Sequence, residues 1–222
     1  MQTYRNLQIA YFICLALCLA GTVGVTGCSR GILKEKTAPV KEWTCDDDAD
    51  QALKLQDYEK CILLHERFIV KEPSNGLALY HLGYAFGQIE NHEKEILYYK
   101  KAIALGFNKY GIFFNLGMAY GEMNRIEESI STFKKALDID PESPDNHFGL
   151  ALAYQKISSD RFAEMEFLKA IEIDSANVDA RLYLGILYVE MGEKQKADEQ
   201  LRKILEIDPN NEMARQLLGN AR

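Results

Sequence analysis

Two histidines are each followed by a glutamate, His65-Glu66 and His92-Glu93, which is how a helical zinc-hydrolysis site would begin. Such a site needs a second histidine one turn further along the same face, with the glutamate as base. Ile69 and Ile96 stand there instead, so neither pair can share a metal within its helix, and both histidines read as surface residues. His81 and His147 add no ligand spacing. Asp46, Asp48 and Asp50 match the first three carboxylates of a calcium loop, but Gln51 replaces the sharp-turn glycine and Asp57 the bidentate glutamate. Acids beside Thr44 suit the positive end of a helix instead. Ser131 and Lys134 have the Ser-x-x-Lys spacing of an acylating serine, without its companion motifs. No glycine-rich phosphate loop, nucleophile elbow or triad is legible. The expectation is a chain with no catalytic residue, metal ligand or cofactor, and a hydrolase built on the His-Glu pairs is the remote alternative.

The elements that would carry any function are bounded first by composition. Of 222 residues, 47% are apolar and 27% charged, the balance of a folded globular protein. Lys and Arg number 26 against 33 Asp and Glu, a net charge of −7. An acidic chain without a basic run is a poor match to a phosphate backbone, which excludes nucleic acid as a partner.

The first 27 residues read as an export signal. Arg5 lies in a head without acids, Ile9 to Ala20 is an apolar run, and Gly21 to Gly27 is mostly small. The run is shorter than the roughly 20 apolar residues that span a bilayer. Val25-Thr26-Gly27-Cys28 resembles the lipobox of bacterial lipoproteins. The resemblance implies a mature chain that starts at an acylated, palmitate-bearing Cys28. Several acyl chains, at about 0.8 kcal/mol per buried CH₂, anchor firmly where one does not. Ser29 after the cysteine implies the outer membrane, facing the periplasm. Residues 28–43 then form the lipidated cysteine and a tether; about 15 flexible residues reach on the order of 20 Å.

The remainder repeats itself every 34 residues. Block 110–143 holds Leu116-Gly117, Tyr120, Ser129, Phe133, Ala136 and Pro141. Block 144–177 answers with Leu150-Ala151, Tyr154, Ala163, Phe167 and Ala170; block 178–211 with Leu184-Gly185, Tyr188, Ala197, Leu201 and Pro209. Block 76–109 has Leu82-Gly83, Phe86, Tyr99 and Ala102. Positions 4, 7, 8 and 11 share one helical face, as do 20, 24, 27 and 28. Small residues at 8 and 20 let two helices cross closely, and proline at 32 ends the second. These residues resemble the tetratricopeptide repeat (TPR), which implies an all-α solenoid of helical hairpins in a right-handed superhelix. Residues 44–75 form a divergent first repeat, in register with a block from 42, and 212–222 a capping helix. Glu95 stands at small position 20, where its carboxylate should escape to solvent, and Phe107 and Ser175 replace proline. In this register Cys45 and Cys61 are offset along antiparallel helices, which disfavours a disulfide.

The resemblance also implies that positions on the first helices point into a groove that holds peptide segments of partners. At positions 5 and 9 stand Tyr80 and Tyr84, Phe114 and Met118, Phe148 and Leu152, Leu182 and Ile186, with Leu77 and Val189 adjoining. Side chains this large and apolar form either a binding patch or packing between repeats. Members that clamp a chaperone's carboxyl terminus use Lys with Asn or Arg at positions 5 and 9, and none is present. The expected function is a lipid-anchored adaptor of the bacterial envelope that docks a peptide or helix of another envelope protein, a pilotin-like assembly factor being favoured. A carrier of lipid or another apolar ligand is the alternative.

Overall fold

The computed structural model describes residues 43–109 and 111–220. The expected signal peptide, Cys28 and all of the tether but Trp43 lie outside the described residues. Those described form eleven helices and no strand. Five hairpins follow one another: α1 (Asp47–Lys54) with α2 (Tyr58–Lys71), α3 (Gly76–Gln88) with α4 (His92–Ala104), and α5 (Ile112–Glu122) with α6 (Ile126–Ile139). Then come α7 (Pro144–Lys156) with α8 (Asp160–Ile173), α9 (Val178–Glu190) with α10 (Lys194–Ile207), and a closing α11 (Glu212–Asn220). No helix among the described residues is long and apolar enough to cross a membrane.

Turn chemistry recurs with the same period. Gln56, Glu90, Asn124, Ser158 and Gly192 stand at position 15 and all have φ between 54° and 76°, the left-handed conformation. At each, the following amide donates to a carbonyl five residues back, as from Asn91 to Phe86 and from Glu193 to Tyr188. That is the Schellman closure of a helix C-terminus, and it reverses the chain between the two helices of a hairpin. At position 34 the side chains of Asn75, Ser143, Asn177 and Asn211 accept the third amide of the next helix, at 2.8–3.3 Å. Each substitutes for a missing intrahelical carbonyl and is worth about 1 kcal/mol. Lys109 breaks this pattern, and α5 starts two residues later in its block than α3, α7 and α9 do, after Gly111 at φ 66°. Asp46 caps α1 through the amide of Ala49 at 3.1 Å, so the acids there do serve a helix N-terminus.

Every second helix packs on both its own first helix and the next one. Phe133 shows how closely. A Cβ added at Gly117 of the same hairpin would sit 2.8 Å from its ring, and one at Gly149 of the next hairpin would overlap the ring's Cε1 and Cζ. Only glycine at both positions admits the two backbones this close to that aromatic. First helices also touch directly, α3 with α5 and α5 with α7, as no pair of second helices does to the same degree. A stack closer along one row than the other bends toward that row, which puts the first helices on the inner side.

One expectation needs correction, and one departure from the repeat gains a role. Glu95 is buried rather than solvated, because its carboxylate folds over Gly87, which offers no side chain, and pairs with His92 Nδ1 at 2.8 Å. Phe107, in the slot of the helix-stopping proline, is buried and stacked on Tyr80 with ring centroids 5.3 Å apart.

Candidate functional site

Half-burial is the common state of the first-helix residues singled out from the sequence. Leu77, Tyr80, Tyr84, Phe114, Met118, Phe148, Leu152, Leu182 and Ile186 are all partly covered, and only Val189, 46% exposed, stands clear. Much of the cover comes from the second helices. Phe114 meets Phe133 edge-on at 5.9 Å, Phe148 lies 5.9 Å from Phe167, and Tyr80 lies 5.7 Å from Tyr99. Position 5 therefore leans on the position-24 aromatic of its own hairpin, and such pairs contribute about 0.5–1.5 kcal/mol beyond area burial. Position 9 leaves more room. Between α5 and α7 opens a cleft of about 510 Å³ lined by Met118, Gly121, Leu152, Gln155 and Tyr183. Tyr183, 38% exposed, meets Phe148 edge-on at 5.5 Å and extends the apolar row to α9. It stands at position 6, outside the positions used to read the sequence. The same face thus seals the repeats with one side of each ring and presents the other side outward.

A polar cluster occupies the N-terminal end of this face. Asp50 on α1 and His81 on α3 line a pocket of about 410 Å³ together with Leu53, Leu77, Tyr80 and Tyr84. His81 Nδ1 lies 3.0 Å from Asp50 Oδ1 and 3.1 Å from Nε2 of His65 on α2. His65 Nε2 is 3.6 Å from the same carboxylate oxygen, and His65 Nδ1 is 3.0 Å from the Cys61 carbonyl. Cys45, just before α1, completes a set of four groups whose ligand-type atoms all fall within 4.8 Å of one another. Burial lowers the pKa of both imidazoles, that of His81 to about 4, with the neighbouring imidazole adding to the effect on His81. Burial, then the Asp50 charge, pushes the Cys45 thiol up to about 12.

His65 is fully buried, which corrects its reading as a surface residue. The signal was present in the register: it occupies position 24, the slot of Tyr99, Phe133, Phe167 and Leu201. A polar group in a buried slot needs partners, and here they come from α1 and α3, out of reach of any local spacing rule. His92 is likewise no free surface group, since it pairs with Glu95, and His147 Nδ1 pairs with Glu166 at 2.6 Å. Cys45 and Cys61 are free thiols. Ser131 and Lys134 are both exposed, Lys134 Nζ lying 5.8 Å from the Tyr154 ring centroid.

Family models agree with this geometry. Residues 117–158 match a model described as TPR repeat, and residues 77–105 and 163–221 match models described as tetratricopeptide repeat. No curated protein matches the sequence. Among solved structures, YrrB, a TPR protein with an unusual peptide-binding site, aligns at a TM-score of 0.66 and 18% identity, over 78% of this chain and 89% of its own. MamA of Desulfovibrio magneticus RS-1 gives 0.69 and 16%, covering 75% of this chain and 94% of that one. A thermophilic TPR protein of Thermus thermophilus, TTC0263, gives 0.63 and 23% over 79% and 95%. At such identities the likeness concerns architecture alone.

Proposed function

Since the chain is an all-α tetratricopeptide-repeat protein, we propose that it is an adaptor, exported and anchored through an acylated Cys28, whose first-helix face holds a segment of another envelope protein. The observation that carries this reading is the recurrence of partly exposed apolar side chains at one-repeat intervals, Tyr84, Met118, Leu152 and Ile186 with Val189 adjoining, beside the cleft lined by Met118, Leu152 and Tyr183. Apolar knobs at one-repeat intervals beside an open cleft suit the apolar face of a helix or an extended peptide, whose side chains enter between the rings. YrrB, with the peptide-binding site that its description gives it, is a precedent for such use of the architecture. Within this class the favoured role is pilotin-like, escort and assembly of an envelope complex at the outer membrane. The short apolar run and Val25-Thr26-Gly27-Cys28 support the anchor.

Photo-crosslinking in cells tests the proposal. A benzoylphenylalanine at Leu152 should give a discrete adduct, and one at the exposed outer residue Ser131 none. Tyr183→Glu should abolish the Leu152 adduct while far-UV circular dichroism stays helical. Equal labelling from both sites, or an adduct indifferent to Tyr183→Glu, refutes the groove assignment.

A further inference from the structure

Four groups of differing donor chemistry converge where the divergent first hairpin meets the second. They arrive on separate segments: Cys45 from the lead-in, Asp50 from α1, His65 from α2 and His81 from α3. We propose that Cys45, Asp50, His65 and His81 form a structural zinc site that staples the first repeat to the second.

The distances fit a tetrahedron. Zinc bonds nitrogen and oxygen at about 2.0–2.1 Å, so two such ligands stand about 3.3 Å apart across a tetrahedral edge. The three separations among Asp50 Oδ1, His65 Nε2 and His81 Nδ1 are 3.0, 3.1 and 3.6 Å. A thiolate at about 2.3 Å from the metal would stand about 3.6 Å from its neighbours. Cys45 Sγ lies within 4.8 Å of all three, and its segment precedes the helix, where a shift of an ångström breaks no helical hydrogen bond. Asp50 Oδ1 is itself buried and accepts no well-directed hydrogen bond, despite the two imidazole nitrogens beside it. A cation among the three atoms would satisfy it.

Ligand orientation is also prepared. His65 Nδ1, placed to donate to the Cys61 carbonyl at 3.0 Å, leaves the Nε2 lone pair facing the cluster. An outer hydrogen bond of that kind fixes the tautomer of a metal-bound histidine. A thiolate and a carboxylate together neutralise a dication, so the loaded site carries no net charge into this half-buried place. On binding, the Cys45 S–H bond breaks, its proton passes to solvent, and the sulfur lone pair forms the metal bond. His81 carries its remaining proton on Nε2. A mixed sulfur, nitrogen and oxygen set favours zinc over the hard cations calcium and magnesium, which take oxygen alone. Four protein ligands make a closed site, structural in type. The fold gives it a purpose: α1 has 8 residues, whereas the other first helices have 11 to 13. An element that short buries little, and a metal that binds only the folded form adds its binding energy to folding.

The full-length chain, purified with detergent and a metal-free reductant and then stripped with chelator, should be titrated with Co²⁺. The expected result is one equivalent bound, with the visible absorption of a tetrahedral ion and a near-ultraviolet thiolate charge-transfer band, both displaced by one equivalent of Zn²⁺. Asp50→Asn and His81→Ala, checked for helicity by circular dichroism, should weaken binding by more than the roughly 10–100-fold cost of losing an outer-shell partner. Cys45→Ser should remove the charge-transfer band. Zn²⁺ should raise the Tm of the parent chain and leave that of His81→Ala unmoved. A helical parent chain that shows no tetrahedral spectrum with Co²⁺ in excess, or variants that bind as tightly as the parent, would overturn the site.

Discussion

Replacing Gly149 with alanine sets two known effects against each other. Gly149 lies inside α7, where alanine is favoured over glycine by about 1 kcal/mol from backbone entropy alone. Against this stands the ring of Phe133, 1% exposed and already faced by Gly117, whose own added Cβ would lie 2.8 Å away. The new methyl overlaps Cε1 and Cζ of a ring that cannot retreat toward Gly117, so α7 must move away from α6 or the ring must leave its rotamer. Overpacking of this kind costs about 1–3 kcal/mol, and a fully buried ring already hemmed in by Gly117 places Gly149→Ala at the upper end, for a net loss of about 2 kcal/mol. Gly121→Ala is the matched control. It lies on α5 with only Ser129 Oγ nearby, at 3.8 Å, so propensity acts unopposed and stability rises by about 0.5–1 kcal/mol. Urea unfolding followed by far-UV circular dichroism reads both. A Gly149→Ala chain at least as stable as the parent would refute the claim that two glycines clasp Phe133.

Two other outcomes are expected. Burial holds the Glu95 carboxyl above its ordinary pKa, with the bond to His92 pulling the other way. Its proton is therefore bound more tightly in the folded than in the unfolded chain, so the stability it brings is full below the ordinary glutamate value of about 4.3 and is lost as pH rises through the raised folded value. Glu95→Gln should flatten that decline and leave the protein more stable than the parent at neutral pH, as denaturant titrations at pH 4 to 7 would show. Cys28→Ala should abolish labelling by an alkyne-bearing palmitate and release the protein from sedimented membranes, and retained labelling would count against the anchor.

The hairpins were legible because their determinants are local and recur. Small positions 8 and 20, an aromatic at 11, a large apolar residue at 24 and a proline at 32 lie within one or two helices, so a 34-residue comparison exposes them. The polar exceptions were opaque for the opposite reason. Whether Glu95 escapes or is buried depends on Gly87 across the hairpin, and His65 finds its partners on α1 and α3. A glutamate or histidine in an apolar slot looks the same in sequence whether it is a fault in the repeat or a device built into it. Phe107 is similar: the loss of a stop signal was plain, but its second role as a stacking partner for Tyr80 required the neighbouring helix. The apolar row itself was visible, and what spacing could not decide was how each ring divides between sealing a seam and facing outward.

Phe133, held by glycines of two consecutive hairpins, makes that aromatic common property of two repeats. Rigidity is therefore shared between neighbours and fades beyond them, as in any stack whose links are pairwise. A guest seated on Met118 and Leu152 would brace the middle of the array and quiet amide exchange in α5 to α8, while α11 would keep its own rhythm. The molecule would then report occupancy by where along its length it stiffens, with no change of shape at all.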